Sequence, residues 1–177
     1  EEAIASFPWF IGPLLLANQH GLEPMSYVGA RLNWLAMETF DSWVRAQLEP
    51  CEVFHFLSSC GTRAQRLARR RYGAVTVCDK GSTHVLHQNS VLAEEHARWG
   101  IRHRPPFAPR IVERELQEYD ESDVILVPSS FVYQSFVDHH VPPERLQIVP
   151  YGVDLAQFRP VPKEDDIFRV IYVGALN

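Results

Sequence analysis

Hydroxyl, carboxylate, amine and imidazole side chains follow directly after three apolar runs of the sequence. The runs are Cys51–Leu57, Ala74–Cys78 and Asp123–Val127, each rich in strand-forming residues. If these runs are parallel strands, the residues after them meet at the carboxyl edge of one sheet, where open α/β sheets bind ligands. The candidates are Ser58, Ser59 and Gly61 after the first run, Asp79, Lys80, Ser82 and His84 after the second, and Ser129 after the third. Their chemistry suits hydrogen bonds to ligand hydroxyl groups and, at Lys80, contact with a phosphate.

The same residues also have a structural interpretation. A side-chain oxygen, or an imidazole nitrogen, placed before a helix can accept a hydrogen bond from a backbone amide of the first turn. The residues that can cap a helix or shape a turn in this way are Ser58, Ser59, Asp79, His84, Ser129 and Ser130. The sequence is compatible with both interpretations.

Three histidines invite a metal interpretation. His84 and His87 are three residues apart on a predicted helix, and His96 follows on the same helix. A zinc site needs a third and usually a fourth ligand in a defined geometry. The sequence supplies no convincing set, so we predict no protein-bound metal.

Arginines line one face of a predicted helix, Thr62–Tyr72. Arg63, Arg66 and Arg70 share this face, and two further arginines stand beside them. A solvated helix face is the usual interpretation, and arginines near a helix C-terminus are favoured there. The alternative is contact with an anion, either an acidic lipid or a phosphorylated ligand.

Strand–helix alternation predicts an α/β fold, a Rossmann-like parallel sheet with flanking helices, because a parallel neighbour is reached only through a crossover. We predict helices at Leu32–Leu48, Thr62–Tyr72, Val85–Trp99, Arg110–Tyr119 and Phe131–His140, and further strands at Leu146–Pro150 and Phe168–Gly174. Before these elements we predict a short helix within Ala3–Gln19 and a loop at Gly21–Gly29. The chain opens without a first strand and ends soon after a predicted one, so we expect a piece of a larger polypeptide.

Composition limits the classes of function. The 177 residues are 46% hydrophobic and 22% charged, with a net charge of −5, which argues against nucleic-acid binding driven by bulk electrostatics. The longest apolar run, Phe7–Ala17, is interrupted by glycine and proline and falls short of the ~20 residues that a transmembrane helix needs. Cys51, Cys60 and Cys78 are odd in number and widely spaced, which favours a reduced, cytoplasmic setting. Peripheral contact with a membrane stays open.

An ordered series of motifs runs from Tyr119 to Asp154. Tyr119-Asp120-Glu121-Ser122-Asp123 precedes an apolar strand and Pro128-Ser129, and Val141-Pro142-Pro143-Glu144-Arg145-Leu146 precedes Ile148-Val149-Pro150-Tyr151-Gly152-Val153-Asp154. This series resembles the end of the N-terminal domain and the interdomain connection of retaining glycosyltransferases with the GT-B fold, the group 1 or family 4 set. Phe168–Gly174 is similar to the first strand of that family's C-terminal domain. The loop from Cys78 to His84 is similar to one in some members, where a histidine often stands in place of Cys78-Asp79.

The resemblance implies two Rossmann-like domains across a cleft, the first binding an acceptor and the second a nucleotide-diphosphate sugar. We therefore predict an acceptor-side domain at residues 1–154, followed at residues 155–177 by the linker and the first strand of the donor-binding domain. The implied reaction moves a sugar from a nucleotide sugar to a carbohydrate or lipid-linked acceptor, with retention of anomeric configuration and without a cofactor. We expect a cytoplasmic enzyme, with contact at the inner face of the membrane left open, and an inactive fragment when isolated.

The resemblance also implies roles for single residues. Asp79 and His84 are the catalytic candidates, as hydrogen-bond partners of the transferred sugar or of an acceptor hydroxyl. The predicted cleft-lining residues are Ser58, Ser59, Gly61, Lys80, Ser82 and Ser129, and the predicted junction residues are Gly152, Asp154 and Gly174. Two alternatives share this architecture: a GT-B epimerase or hydrolase of nucleotide sugars, and a non-catalytic pseudo-enzyme that acts as a binding module.

Overall fold

The computed structural model describes residues 5, 7, 12, 27–101, 109–159, 162 and 164–171 of the chain. The helix predicted within Ala3–Gln19 therefore falls almost entirely outside the described residues, and so does the predicted junction residue Gly174.

Helices and strands alternate along the described chain. The helices are α1 (Tyr27–Gln47), α2 (Thr62–Leu67), α3 (Val85–Arg98), α4 (Pro109–Glu121) and α5 (Ser130–Val137). The strands are β1 (Val53–Leu57), β2 (Val75–Asp79), β3 (Val124–Val127) and β4 (Leu146–Ile148). A π-helical turn, Ala68–Tyr72, extends α2, and a 3-10 turn, Pro143–Arg145, precedes β4.

The described strands form a parallel sheet in the order β1-β2-β3-β4. Cys78 of β2 lies opposite Phe56 of β1 and opposite Ile125 of β3. Because strand order follows chain order and crossovers between parallel strands are right-handed, the connecting helices lie on one face of the sheet. The predicted α/β fold, a Rossmann-like parallel sheet with flanking helices, is confirmed.

The two faces of the sheet differ in burial. On the face that carries the helices, Phe56 is 8% exposed, and Cys78 and Ile125 are fully buried. On the opposite face, Val53 and Leu57 are 57% and 66% exposed. Successive side chains of a strand point to opposite faces, so the core lies between the sheet and its helices, while the other face meets solvent at these positions.

Two helix ends differ from the prediction by three residues or more. α1 begins at Tyr27, inside the predicted loop Gly21–Gly29, so the buried Gly29 lies within a helix and does not mark a turn. The helix predicted to reach His140 ends at Val137. His140 has a φ of 65°, in the left-handed region that ends a helix.

The described part of the segment after β4 contains no strand. The carbonyl of Asp154 accepts hydrogen bonds from the backbone amides of Gln157 and Phe158 at 3.1 and 3.0 Å, which closes a turn. Residues 168–171, the described part of the predicted strand Phe168–Gly174, are exposed, and none of the described strands pairs with them. The domain boundary after residue 154 stays a prediction.

Candidate functional site

The turn after β1 is held by carboxylates from α4. Ser59 has a φ of 77°, and its backbone N–H donates to Glu118 Oε2 at 2.5 Å. The Ser59 hydroxyl donates to Glu115 Oε1, also at 2.5 Å. Ser59 is only 5% exposed. This predicted cleft residue therefore faces the protein interior, and its contact with a ligand stays a prediction.

Glu118 accepts hydrogen bonds at the start of α2. Its Oε1 receives the Gly61 backbone N–H and the Thr62 hydroxyl, both at 2.9 Å. Burial raises the pKa of Glu118, and these donors partly offset the effect because they favour the charged form. The expected cap from Ser58 or Ser59 is wrong, because Gly61 occupies the cap position of α2 without a side-chain hydrogen bond.

Asp41 of α1 completes the capping of α2. Its Oδ2 accepts from the Arg63 backbone N–H at 2.8 Å, and its Oδ1 accepts from the Ala64 N–H at 2.9 Å. Arg114 of α4 donates from Nη2 to Asp41 Oδ2 at 2.9 Å. Asp41 is fully buried and Arg114 is 5% exposed, so a buried ion pair ties α1 to α4 beneath the start of α2.

Gly61 is constrained by packing against β1. A Cβ atom at this position would lie 2.1 Å from Cδ2 of Phe56, far inside the ~3.5–4.0 Å of a normal carbon contact. The glycine therefore lets the start of α2 approach the Phe56 ring. Its predicted role, to let a ligand approach the backbone, stays a prediction.

Lys80 is buried in an ion pair. Its ammonium lies 2.6 Å from Glu115 Oε2, and the lysine is 6% exposed. The Tyr119 hydroxyl donates to the same carboxylate oxygen at 2.5 Å. A phosphate contact at Lys80 stays a prediction.

His84 caps α3, as the structural interpretation predicted. Its Nδ1 accepts from the Leu86 backbone N–H at 3.3 Å, and its ring stacks on His139 with centroids 4.4 Å apart. Burial, together with the neighbouring His139 and Lys80, lowers the pKa of His84 to about 4. At 2% exposure the imidazole is neutral near pH 7 and does not reach solvent. Its catalytic role stays a prediction.

We expect the stability of the protein to fall as the pH drops from 7 to 4, in part through His84. The unfolded chain takes up a proton at this histidine near its reference pKa of 6.5, whereas the folded chain resists protonation down to about 4. Acid therefore favours unfolding in this window, by about 3 kcal/mol in total. Urea unfolding at pH 7 and pH 4 measures the effect. The variant His84→Asn keeps a capping acceptor but does not titrate, so it should lose less stability; equal losses would contradict the assignment.

Asp79 is the catalytic candidate that reaches the surface. It ends β2 on the solvent-exposed face of the sheet, with its side chain 32% exposed and Oδ2 3.3 Å from His55 Nε2. The Asp79 carbonyl accepts from the Ser58 backbone N–H at 3.0 Å, which joins the loop after β1 to the end of β2. His55, in the middle of β1, thus contacts the carboxylate at the carboxyl end of β2 from the neighbouring strand.

Two predicted residues of the other loops have local partners. Ser129 caps α5, since its hydroxyl accepts from the Val132 backbone N–H at 3.3 Å, and the expected cap is confirmed. Asp154 Oδ1 accepts from the Ala156 N–H at 2.8 Å inside its turn. Ser82 is half-buried, and Gly152 is exposed with free space around its Cα.

The chain after β4 crosses the loop after β2. The Tyr151 hydroxyl donates to the Gly81 carbonyl at 3.3 Å. A cavity of about 280 Å³ lies at the same edge, between the first turns of α3 and α5. Its lining residues are Thr83, His87, Gln88, Val91, Leu92 and Phe131. The carboxyl edge therefore offers a mostly apolar cavity beside polar loops.

The sequence did not single out the carboxylates that organise this edge. Glu115 and Glu118 lie on an acidic helix whose charges are expected to face water, yet they are 4% and 0% exposed. The available signal is spacing, because Arg114, Glu115 and Glu118 recur at i, i+1 and i+4 and thus share one face of α4. Tyr119 extends the same buried face.

The described ranges offer little for metal binding, thiol chemistry or membrane insertion. No group of three or more histidine, cysteine, aspartate and glutamate side chains in these ranges is arranged to hold a metal ion. Burial raises the pKa of the Cys60 thiol to about 11, so it is a poor nucleophile at neutral pH. No described helix combines the length and the apolar character needed to span a bilayer.

A family model, described as Glycosyltransferase Family 4, matches residues 12–157. The matched span contains the whole described sheet together with the loops at its carboxyl edge. No curated protein and no solved structure matches the chain. The family match covers well over half of the 177 residues and agrees with the parallel sheet. The chain belongs to Glycosyltransferase Family 4.

Proposed function

We propose that the chain supplies the acceptor-binding side of a glycosyltransferase that uses a nucleotide-sugar donor and retains the anomeric configuration. Membership of the family supports sugar transfer. The observation that carries the proposal is the position of Asp79, which is accessible at the carboxyl end of β2 and paired with His55. Open parallel sheets bind their ligands at this edge.

Asp79 acts in this proposal as a hydrogen-bond acceptor for a hydroxyl of the acceptor or of the transferred sugar. A carboxylate forms strong hydrogen bonds to such groups, and fixing two substrates in a reactive geometry is a large part of catalysis in a transfer reaction. His55 orients the carboxylate from the neighbouring strand. Groups of the donor-binding domain stabilise the departing diphosphate electrostatically.

The cavity between α3 and α5 is the proposed place for the acceptor. Its lining includes Thr83, from the loop after β2, and Phe131, an exposed residue in the first turn of α5. A carbohydrate or a lipid-linked acceptor presents both hydroxyl groups and apolar faces, which suits a mostly apolar lining that carries a few polar groups. Within the proposal the reaction takes place in the cytoplasm or at the inner face of the membrane, and it needs neither a cofactor nor a protein-bound metal.

The experiment is a transfer assay on the full-length protein with a panel of nucleotide sugars and acceptors, in which proton NMR reads the anomeric configuration of the product. Transfer with inversion would contradict the proposed stereochemistry. Free or isomerised sugar formed without an acceptor would identify a hydrolase or an epimerase instead. Absence of turnover, combined with binding of a carbohydrate, would identify a non-catalytic binding module.

Replacing Asp79 by asparagine is expected to lower kcat/KM by about 10²–10³, since the charged acceptor is lost while the shape is kept. The melting temperature should change little, because the side chain is one-third exposed and, among the described residues, bonds only to His55. Asp120→Asn, on the exposed end of α4, is the matched control and should keep full activity. An unchanged rate in Asp79→Asn would remove this residue from the site.

A further inference from the structure

A cavity lined by arginines lies on the helical side of the protein. It has a volume of about 260 Å³ and lies between the last turn of α1 and the helix α2 with its π-helical turn. Its lining residues are Arg45, Arg63, Arg66, Leu67 and Arg70. We call it the arginine cavity. Among the described residues, no carboxylate belongs to its lining.

Two of these arginines are held in place by acids that stand outside the cavity. Arg63 pairs with Glu38 of α1 and donates to Ser42 Oγ at 2.8 Å. Arg66 binds the Glu121 carboxylate of α4 through two nitrogens, with Nε 2.6 Å from Oε2. A guanidinium group carries five N–H donors, and these contacts use only part of them. Both side chains are thus oriented in advance and keep donors for a ligand.

The other two arginines lack such partners. In the part of the chain that the structure describes, Arg45 and Arg70 make no hydrogen bond and no ion pair with another side chain. Two positive charges at the cavity are therefore not compensated, in a protein whose net charge is −5. Like charges held close together repel one another, and a bound anion relieves that repulsion.

A neighbouring cavity is a weaker candidate for an anion. It shares Arg63 and Arg66 and has a volume of about 300 Å³, but Glu38 and Glu113 also line it. Carboxylates in the lining repel an anion, whereas the arginine cavity has none. The arrangement of donors and charge therefore points to the arginine cavity.

We propose that the arginine cavity binds a phosphate group. Arginine is suited to this ligand because its planar group donates two parallel hydrogen bonds to phosphate oxygens. The cavity extends along α2 to Arg70, in the turn that leads to the start of β2, and it shares no lining residue with the cavity between α3 and α5. The inference does not depend on glycosyl transfer. The phosphate belongs either to a soluble compound or to a lipid headgroup.

The test measures phosphate binding by the full chain and by two variants. Inorganic phosphate is the soluble probe, titrated by calorimetry, with chloride as the reference anion. The membrane probe is vesicle flotation with neutral phosphatidylcholine alone, with added phosphatidic acid, or with added oleate at equal charge. The first variant is the double substitution Arg45→Gln and Arg70→Gln, which breaks no contact seen in the structure. The second is Arg71→Gln, which removes an exposed charge next to the cavity from a residue that does not line it.

We expect the double variant to bind phosphate at least about tenfold more weakly and Arg71→Gln to bind within about twofold of the parent. Binding of inorganic phosphate with this dependence identifies a soluble ligand as sufficient. Flotation with phosphatidic acid but not with oleate, lost in the same double variant, identifies a lipid headgroup. Failure of both probes to bind overturns the proposal. So does equal weakening by Arg71→Gln, or equal flotation with oleate, because either result would reflect general charge attraction.

Discussion

Replacing Glu115 by alanine is expected to lower the free energy of unfolding by about 3–5 kcal/mol. Lys80 is only 6% exposed, and the substitution leaves its ammonium group without a counter-ion. It also removes the acceptor of the Ser59 and Tyr119 hydroxyl groups. Breaking one side of a buried ion pair is costly because the remaining charge has lost both water and its partner. Urea unfolding followed by circular dichroism measures the change.

The double variant Glu115→Ala and Lys80→Met separates the charge effect from general damage. Methionine fills much of the lysine volume without a charge, so the double variant should recover a large part of the lost stability. Glu113→Ala is the control on the same helix, where the side chain is exposed, and it should change stability by no more than about 0.5 kcal/mol. A double variant that is no more stable than Glu115→Ala would show that the unpaired ammonium is not the cause.

The fold was accessible from the sequence because its signals are local. Apolar runs such as Val75–Asp79 and Val124–Val127, with helical segments between them, require crossovers, and crossovers give a parallel sheet. The capping role of Ser129 is also local, since donor and acceptor are three residues apart. The predicted helix Thr62–Tyr72 has the bounds of α2 together with its π-helical turn, and only the change of helix type at Ala68 was not predicted.

The arrangement of the site was not accessible because it depends on contacts between distant residues. Lys80 and Glu115 are 35 positions apart, and Ser59 and Glu118 are 59 apart. A lysine after a strand looks available to a ligand until the helix that carries its counter-ion is placed beside it. Composition and periodicity do not report which charges face each other across a crossover. Asp79 is the exception, because its side chain is partly exposed at the end of β2, as the sequence pattern of a polar residue after a strand implied.

The second large effect is expected at Glu118. Glu118→Ala should lower the free energy of unfolding by about 3–5 kcal/mol, because three buried donors lose their acceptor together. These donors are the backbone N–H groups of Ser59 and Gly61 and the hydroxyl of Thr62. Glu118→Gln keeps the shape and one acceptor oxygen, so its loss should be smaller. Urea unfolding of both variants gives the two values.

Hydrogen exchange at single amides distinguishes this explanation from a simple loss of packing. The turn after β1 has Ser59 in the left-handed region, a conformation that a serine adopts at some cost. If the Glu118 carboxylate holds this turn, the amides of Ser59 and Gly61 should exchange faster in Glu118→Ala, and by a larger factor than the amides of β3, which sense only global unfolding. Equal acceleration at all these amides would mean that the variant loses packing around a cavity and that the turn holds without the carboxylate. Selective acceleration would show that one residue of α4 positions the loop after β1, and with it the Ser58 amide that bonds the Asp79 carbonyl.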